Sequence, residues 1–268
     1  MKLLTNDMEY EETIDIARKL LNDVYNNQVI FHCYWQGELT EKHLYSIISC
    51  YHFNKNHKII LWLENNISNE YNILIGKYAE IKLFNINDEI MNNDFMNNDF
   101  IKYLLLYNYG GVWFDLNCFI LRSFDPLFVH FQHHICVYRL EYSNIPNDAI
   151  YISLEPKSNN MKKNIEFIIN RNNGFGFVKA NITFDLPLDL LILPCSWFSP
   201  ISIKNPLGNE KDYKMFFRTT TEKYDFNKFY NGSFCYNWNN LWNDEIENNS
   251  IAMQLYNIIS KYENAENI

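Results

Sequence analysis

The residues best suited to chemistry are Asp115 and Asn117, which follow the glycine pair Gly110-Gly111 and the short apolar run Val112-Trp113-Phe114. Hard oxygen ligands of this kind suit Mg²⁺ or Mn²⁺. Two such ligands, with one residue between them, could hold the ion against a diphosphate and stabilise the negative charge that develops on the leaving group. Because the amide of Asn117 is neutral, we expect weaker metal affinity than two carboxylates would give.

The segments before this motif predict the elements that would hold it at the edge of a sheet. Apolar runs at 29–34 and 58–63 each predict a strand. Between them, Thr40 can cap a helix. The apolar face of that helix would consist of Leu44, Ile47, Ile48 and Tyr51. Strand, helix, strand in this order is typical of a parallel sheet covered by helices.

A further helix and a tight turn lead directly into the motif. The apolar face of this helix would consist of Phe100, Tyr103, Leu104 and Tyr107. Gly110-Gly111 would end it, because glycine accepts the left-handed backbone conformation that closes helices. The strand after the turn then carries Asp115 to its C-terminal end, where open α/β sheets bind ligands.

The remaining chain predicts further helices and strands but no linker between domains. An opening helix would bury Ile14, Ala17, Leu20, Leu21 and Val24; strands are expected near 134–138 and 190–193, helices at 161–170 and 250–262, and a loop-rich polar stretch at 204–232. We therefore predict one α/β domain over residues 1–268, with a mixed, mostly parallel sheet flanked by helices.

The composition excludes several classes of protein. A formal net charge of -9 argues against a general nucleic-acid binder, which needs a basic face. No apolar run resembles a signal peptide or a membrane span, so we expect a soluble, cytoplasmic protein. The sequence also lacks a phosphate-binding Gly-x-x-x-x-Gly-Lys loop and a Gly-x-Ser-x-Gly elbow.

The six cysteines are isolated along the chain, and none forms a Cys-x-x-Cys pair. They are Cys33, Cys50, Cys118, Cys136, Cys195 and Cys235. Several lie in apolar runs, so we expect buried free thiols in preference to a zinc site.

The segment from Asp99 to Asn117 resembles the DXD-containing sugar-binding region of retaining GT-A glycosyltransferases. That group includes Golgi outer-chain mannosyltransferases, capsular polysaccharide transferases and, more distantly, glucosylating bacterial toxins. Their pattern is Asp-x-x-Arg, seven residues, then Gly-Gly-x-Tyr-x-Asp-x-Asp, and the spacing is preserved here. The resemblance implies a GT-A-like, Rossmann-like fold.

The resemblance also implies a role for each matched residue. Asp99 would hold hydroxyls of the donor sugar, and Lys102, where the family has Arg, would lie near the sugar and diphosphate. Asp115 and Asn117 would position Mn²⁺ or Mg²⁺ on the diphosphate. Asp115, Asp99 and Lys102 are the expected catalytic residues. Gly111 is expected to be one of the residues that bind the donor.

Matches outside this segment extend the resemblance over most of residues 28–243. Residues 31–37 resemble the family's first strand, Ile-His-x-x-Trp-x-Gly, which implies that Trp35 stacks on the nucleobase and groups His32 with the donor-binding residues. Residues 236–242 resemble His-x-Trp-x-x-Ser-Trp, with Tyr236 in place of the His, and Trp242 would close over the diphosphate. Weaker similarities occur at 147–150 and 192–200.

Together these matches imply a metal-assisted transfer of a hexose from a UDP- or GDP-sugar to a hydroxyl of a glycan or glycoprotein, with retention of configuration. Residues 28–120 would form the nucleotide-sugar-binding half and 121–249 the acceptor and closing half. An N-terminal helix within 1–27 and a C-terminal helix within 250–268 would flank them. No residue is assigned as a protein nucleophile.

Other interpretations remain open at this level. Since Lys102, Asn117 and Tyr236 depart from the pattern, the protein could be a catalytically degenerate nucleotide-sugar or glycan-binding protein of the same fold. A glycoside hydrolase would need two carboxylates flanking the bond, and one strong carboxylate cluster is visible.

Each candidate residue also has a purely structural interpretation. Asp115 could be a strand-end acid in a turn, Trp35 a core aromatic and His32 a packed strand histidine. Lys102 could be a solvated helix lysine. Tyr236, Trp238 and Trp242 could form an aromatic cluster without a ligand.

Overall fold

A mixed seven-stranded sheet forms the centre of the protein, in a computed structural model that describes residues 10–20, 22–84, 98–139, 146–170, 190–204 and 213–266. Its strands are β1 (Ile30–Trp35), β2 (Lys58–Leu63), β3 (Glu80–Leu83), β4 (Gly111–Phe114), β6 (Ile135–Arg139), β7 (Pro146–Ser153) and β8 (Leu190–Leu193). They lie in the order β3-β2-β1-β4-β7-β6-β8. The first four are mutually parallel, as are β6 and β8, whereas β7 is antiparallel to both neighbours.

Helices cover both faces of this sheet. The helices are α1 (Tyr10–Leu20), α2 (Glu41–Phe53), α3 (Glu70–Ile75), α4 (Asn98–Tyr109), α5 (Asp125–Phe131), α6 (Asn159–Asn170), α7 (Cys195–Phe198), α8 (Pro200–Lys204) and α9 (Ile251–Glu266). Side chains alternate along the strands, so Phe31 faces the core under α1, α2 and α5, while Trp113 faces the core under α4 and α6. The predicted α/β sheet flanked by helices is confirmed.

A small ribbon pairs β5 (Cys118–Ile120) antiparallel with β9 (Cys235–Asn237). It was not predicted, and neither were β3 and β7. The ribbon matters for the site because it joins the residues just after the Asp115 motif to the chain that leads to Trp242. A second core lies between α2, α9 and residues 213–241.

The glycine pair makes the turn between α4 and β4, as the sequence predicted. Gly110 and Gly111 have φ values of +65° and +111°. A Cβ at Gly110 would lie 2.3 Å from the Leu154 carbonyl oxygen, and one at Gly111 would lie 2.1 Å from that of Ile30. Only glycine therefore allows β4 to pack this closely against its neighbours.

One prediction about local structure was wrong, and the prediction for 204–232 was right about its loops, within the described part, but not about its polarity. The first helix ends at Leu20, and Val24, predicted to be on its buried face, is 61% exposed beyond it. The stretch expected to be polar and loop-rich contains, within its described part, Phe216, Phe217 and Phe229 as buried members of the second core. Their aromatic contacts are made with residues distant in sequence, which local polarity does not reveal.

The prediction for the cysteines holds. All six cysteines are buried and free. In the described part of the chain, no helix combines the length and apolarity needed to cross a membrane.

Candidate functional site

Asp115 lies directly after β4, at the sheet edge where the parallel strands end. Its backbone N–H donates to the carbonyl of Ala149 on β7, at 2.8 Å. Its side-chain Oδ1 accepts from Nε1 of Trp113, at 2.7 Å. Because His32 pairs with Trp113 between the parallel strands, this edge is also where β1 ends at Trp35. The carboxylate is thus held at the same end of the sheet as the predicted base-binding residue, Trp35.

Asn117 is tied to the β5–β9 ribbon. Its side-chain Oδ1 accepts from Nδ2 of Asn237 at 3.2 Å, and its backbone carbonyl accepts from the Trp238 N–H at 3.0 Å. The backbone N–H of Asn239 in turn donates to Oδ1 of Asn237, at 2.7 Å. The second polar position of the motif therefore fixes the start of the segment that leads to Trp242.

The oxygens of Asp115 and Asn117 fit a metal that arrives together with a diphosphate. No cluster of three His, Cys, Asp or Glu side chains suited to a metal occurs among the residues that the structure describes. Mg²⁺-type ions are commonly bound through one or two carboxylates plus substrate phosphates, so a complete protein cage is not required. One carboxylate and one amide oxygen suit that mode.

Lys102 forms an ion pair that the sequence did not predict. Its ammonium lies 3.0 Å from Oδ2 of Asp148, and the Tyr103 hydroxyl donates to the same oxygen at 2.8 Å. Burial by itself would raise the pKa of Asp148, but Lys102 and Tyr103 together hold this pKa below its usual range. The Asp148 carboxylate therefore balances the charge of Lys102 inside the protein.

Lys102 is 4% exposed and is not a solvated helix lysine. Its ammonium lies 5.7 Å from the centre of the Trp113 ring, whose N–H holds Asp115. Lys102 thus supports the motif through Trp113. Asp99 belongs to the same helix, α4, but its side chain lies outside the described part of the structure.

Trp35 and Trp242 are brought together although they are far apart in sequence. Their ring centres are 4.7 Å apart, and both rings contact His43, at 4.2 Å from Trp35 and 4.6 Å from Trp242. Both tryptophans are only partly buried. Tyr236 and Trp238, by contrast, are core residues with 1% exposure each. Of the three late aromatic residues, Trp242 is the one that contacts Trp35.

His32 and Gly111 have structural roles in this arrangement. His32 is fully buried, accepts from Nε1 of Trp62 at Nδ1, and lies 3.0 Å from the Gly110 carbonyl through Nε2. Burial lowers its pKa to about 4, so the ring is neutral at pH 7. Gly111 begins β4, at the opposite end of that strand from Asp115. The proposed donor site therefore does not include His32 or Gly111.

The central part of the chain is similar to a known family of proteins. Residues 40–133 match the family described as "Glycosyltransferase sugar-binding region containing DXD motif". This part of the chain is similar to that family's sugar-binding region. The matched region contains Asp99, Lys102, Asp115 and Asn117, whereas Trp35 and Trp242 lie outside it.

The proteins to which this chain is similar are distant from it in sequence. Inositol phosphoceramide mannosyltransferase 3 of Schizosaccharomyces pombe is 26% identical over 145 residues, a match that covers 48% of this chain and 37% of that relative. The glycosyltransferase GlyE of Streptococcus pneumoniae TIGR4 superposes with a TM-score of 0.58 at 10% identity, covering 90% of this chain and 64% of that chain. Its apo form gives a TM-score of 0.56. The likeness to GlyE establishes a shared fold.

Several contacts at the candidate site could not be predicted from the sequence. Asp148 lies within the segment 147–150, which was matched, but its ion pair with Lys102 depends on β7 lying beside β4. Asn237 faces Asn117 only through the β5–β9 ribbon. His43 did carry a signal, because it is the third residue of a helix capped by Thr40, where side chains reach back to the cap.

Proposed function

We propose that this protein transfers a hexose from a UDP- or GDP-sugar to a hydroxyl group, with retention of configuration and with a divalent metal. One observation carries the proposal: within the family's sugar-binding region, the carboxylate of Asp115 is oriented by Trp113 at the sheet edge where β1 ends with Trp35. The C-terminal edge of parallel strands is the usual ligand-binding place in open α/β sheets.

The site residues divide the work of binding and charge stabilisation. Asp115 and Asn117 would hold Mn²⁺ or Mg²⁺, which when bound neutralises charge on the leaving diphosphate. Trp35 offers a π face to the nucleobase, and Trp242 closes the site beside it. Asp99 would accept hydroxyls of the donor sugar. Lys102, whose charge is balanced by Asp148, keeps Trp113 and hence Asp115 in place.

The acceptor is a glycan, glycoprotein or glycolipid hydroxyl. The Schizosaccharomyces pombe relative is named for transfer of mannose to inositol phosphoceramide, which supports a hexose donor and adds a lipid-linked inositol to the candidate acceptors. The match spans just over a third of that relative, so the acceptor is left to the assay below.

A second candidate function is nucleotide-sugar binding without catalysis. It is favoured by Asn117, whose amide oxygen accepts from Asn237 and brings no charge to a metal. In that case the site would bind UDP or GDP but would not break the glycosidic bond.

The test is an assay of nucleotide release and of transferred sugar. The purified protein is incubated with UDP-glucose, UDP-galactose and GDP-mannose, with and without Mn²⁺, in the presence of glycan, glycoprotein and inositol-lipid acceptors. Metal-dependent turnover with one donor supports the proposal. Saturable binding of a nucleotide sugar without turnover favours the binding protein, and absence of both binding and turnover contradicts both functions.

A further inference from the structure

The first turn of α2 contacts the closing segment, which we define as residues 238–244. The ammonium of Lys42 donates to the carbonyl oxygen of Leu241 and, at 3.4 Å, to that of Trp242. It also lies 4.1 Å from the centre of the Phe217 ring. Lys42 is 4% exposed, so these contacts of its ammonium lie inside the protein and not at its surface.

The next residue of α2 holds the side chain of the same tryptophan. The His43 ring stacks on Trp242 with an interplanar angle of 18°. The orientation of His43 is fixed, because its Nδ1 accepts from the Thr40 N–H and lies within hydrogen-bonding distance of the Thr40 hydroxyl, at 2.9 Å in each case. Two consecutive residues therefore hold the backbone and the ring of Trp242.

Burying a lysine side chain has an unfavourable free energy. Removing an ammonium from water costs several kcal/mol unless hydrogen bonds and charges compensate. An apolar residue of similar length would fill the same volume without that cost, but it would not donate to the carbonyl oxygens of Leu241 and Trp242. The directional bonds to the closing segment are what lysine adds at this position.

We propose that Lys42 and His43 form a latch that sets the closed position of Trp242 beside Trp35. Lys42 is a positioning residue, since it acts on the donor only through the closing segment. The effect on donor binding rests on the proposed function, whereas the effect on the position of Trp242 does not.

The position of Trp242 can be measured without any substrate. Two indoles with centres 4.7 Å apart should give an exciton couplet in the circular dichroism spectrum. Trp35→Phe identifies that couplet by removing it while keeping the Trp238–Trp242 pair, whose centres are 6.0 Å apart. We expect Lys42→Met to lose most of the couplet and Lys42→Arg to retain it. Lys162→Met, at an exposed lysine of α6, is the matched control. Where the methionine variant does not fold, Lys42→Gln takes its place.

Donor kinetics and binding then test the functional consequence. Because hydrogen bonds from a charged donor contribute about 1.5–3 kcal/mol, we expect Lys42→Met to raise KM for the donor, or Kd for UDP or GDP, about tenfold or more. We expect kcat to change little and Lys42→Arg to restore KM. A folded Lys42→Met protein with an unchanged couplet overturns the latch, whatever its turnover. A lost couplet with unchanged donor affinity overturns its role in binding. If the wild type binds no nucleotide, the proposed function fails while the couplet still tests the latch.

Discussion

The indole N–H of Trp113 donates to Oδ1 of Asp115 at 2.7 Å, so the motif's first acid is oriented by the residue two places before it. Both side chains lie on the same face of the strand, since side chains alternate. The Trp113 ring in turn lies beside the Lys102 ammonium, which is paired with Asp148. A connected set of contacts thus leads from α4 and β7 to the carboxylate.

Replacing Trp113 by Phe should impair catalysis more than stability. The variant keeps an aromatic ring in the core but removes the N–H that orients Asp115. We expect kcat/KM to fall about tenfold or more, the effect of losing one hydrogen bond to a charged group. Steady-state kinetics checks this, with Trp62→Phe as control, because it removes an indole N–H that donates to His32 and not to Asp115. Equal losses in the two variants would contradict the orienting role.

Restoring the second carboxylate of the motif should strengthen metal binding. In Asn117→Asp the new carboxylate can still accept from Nδ2 of Asn237, so the tie to β9 is kept. We expect Mn²⁺ to bind about tenfold tighter in the presence of UDP or GDP, because a charged hard ligand replaces a neutral one. Isothermal titration calorimetry with and without nucleotide measures this. Unchanged Mn²⁺ affinity would show that residue 117 does not reach the metal.

Breaking the Lys102–Asp148 pair should destabilise the fold. Asp148→Asn removes the carboxylate 3.0 Å from the Lys102 ammonium, which is 4% exposed, and we expect a loss of about 3 kcal/mol in the free energy of unfolding. Denaturant titration measures the loss. The double variant Asp148→Asn with Lys102→Met should recover much of it, because the buried charge that Asp148 balances is then removed as well. A double variant no more stable than Asp148→Asn would contradict this explanation.

Acid should destabilise the protein partly through His32. Burial lowers the pKa of this histidine to about 4 from its ordinary 6.5, so the folded state resists the proton that the unfolded chain accepts. Stability from the neutral ring is therefore complete above pH 6.5 and is lost as pH falls towards 4. The full difference corresponds to about 3 kcal/mol.

The check is the pH dependence of unfolding between pH 4 and 6.5. His32→Gln offers an acceptor and a donor but does not titrate, so its unfolding free energy should fall less steeply on acidification. His133→Gln, at an exposed histidine, is the control. An identical slope in wild type and His32→Gln would rule out this contribution.

What the sequence could predict was local. The strand at 58–63 and the helix capped by Thr40 follow from apolar runs and a capping residue that are adjacent in the chain. The glycine turn was predictable because only glycine tolerates the close approach at Gly110 and Gly111.

What the sequence could not predict depends on long-range pairing. Strand β7 begins with Pro146, Asn147 and Asp148, residue types that are depleted in strands, and it is held by β4 and β6. The Lys102–Asp148 pair and the Asn117–Asn237 bond follow from such pairing. Trp35 and Trp242 were each singled out by resemblance, but their contact and the part played by Lys42 and His43 required the fold.

The most direct test of the central claim is donor turnover by Asp115→Ala, measured beside wild type with Mn²⁺ and the donor sugar that wild type accepts. We expect metal-dependent release of UDP or GDP by wild type and a loss of at least about a hundredfold in the variant, because it lacks the carboxylate that would hold the metal on the diphosphate. Full activity in a folded Asp115→Ala protein would show that the reaction takes place elsewhere.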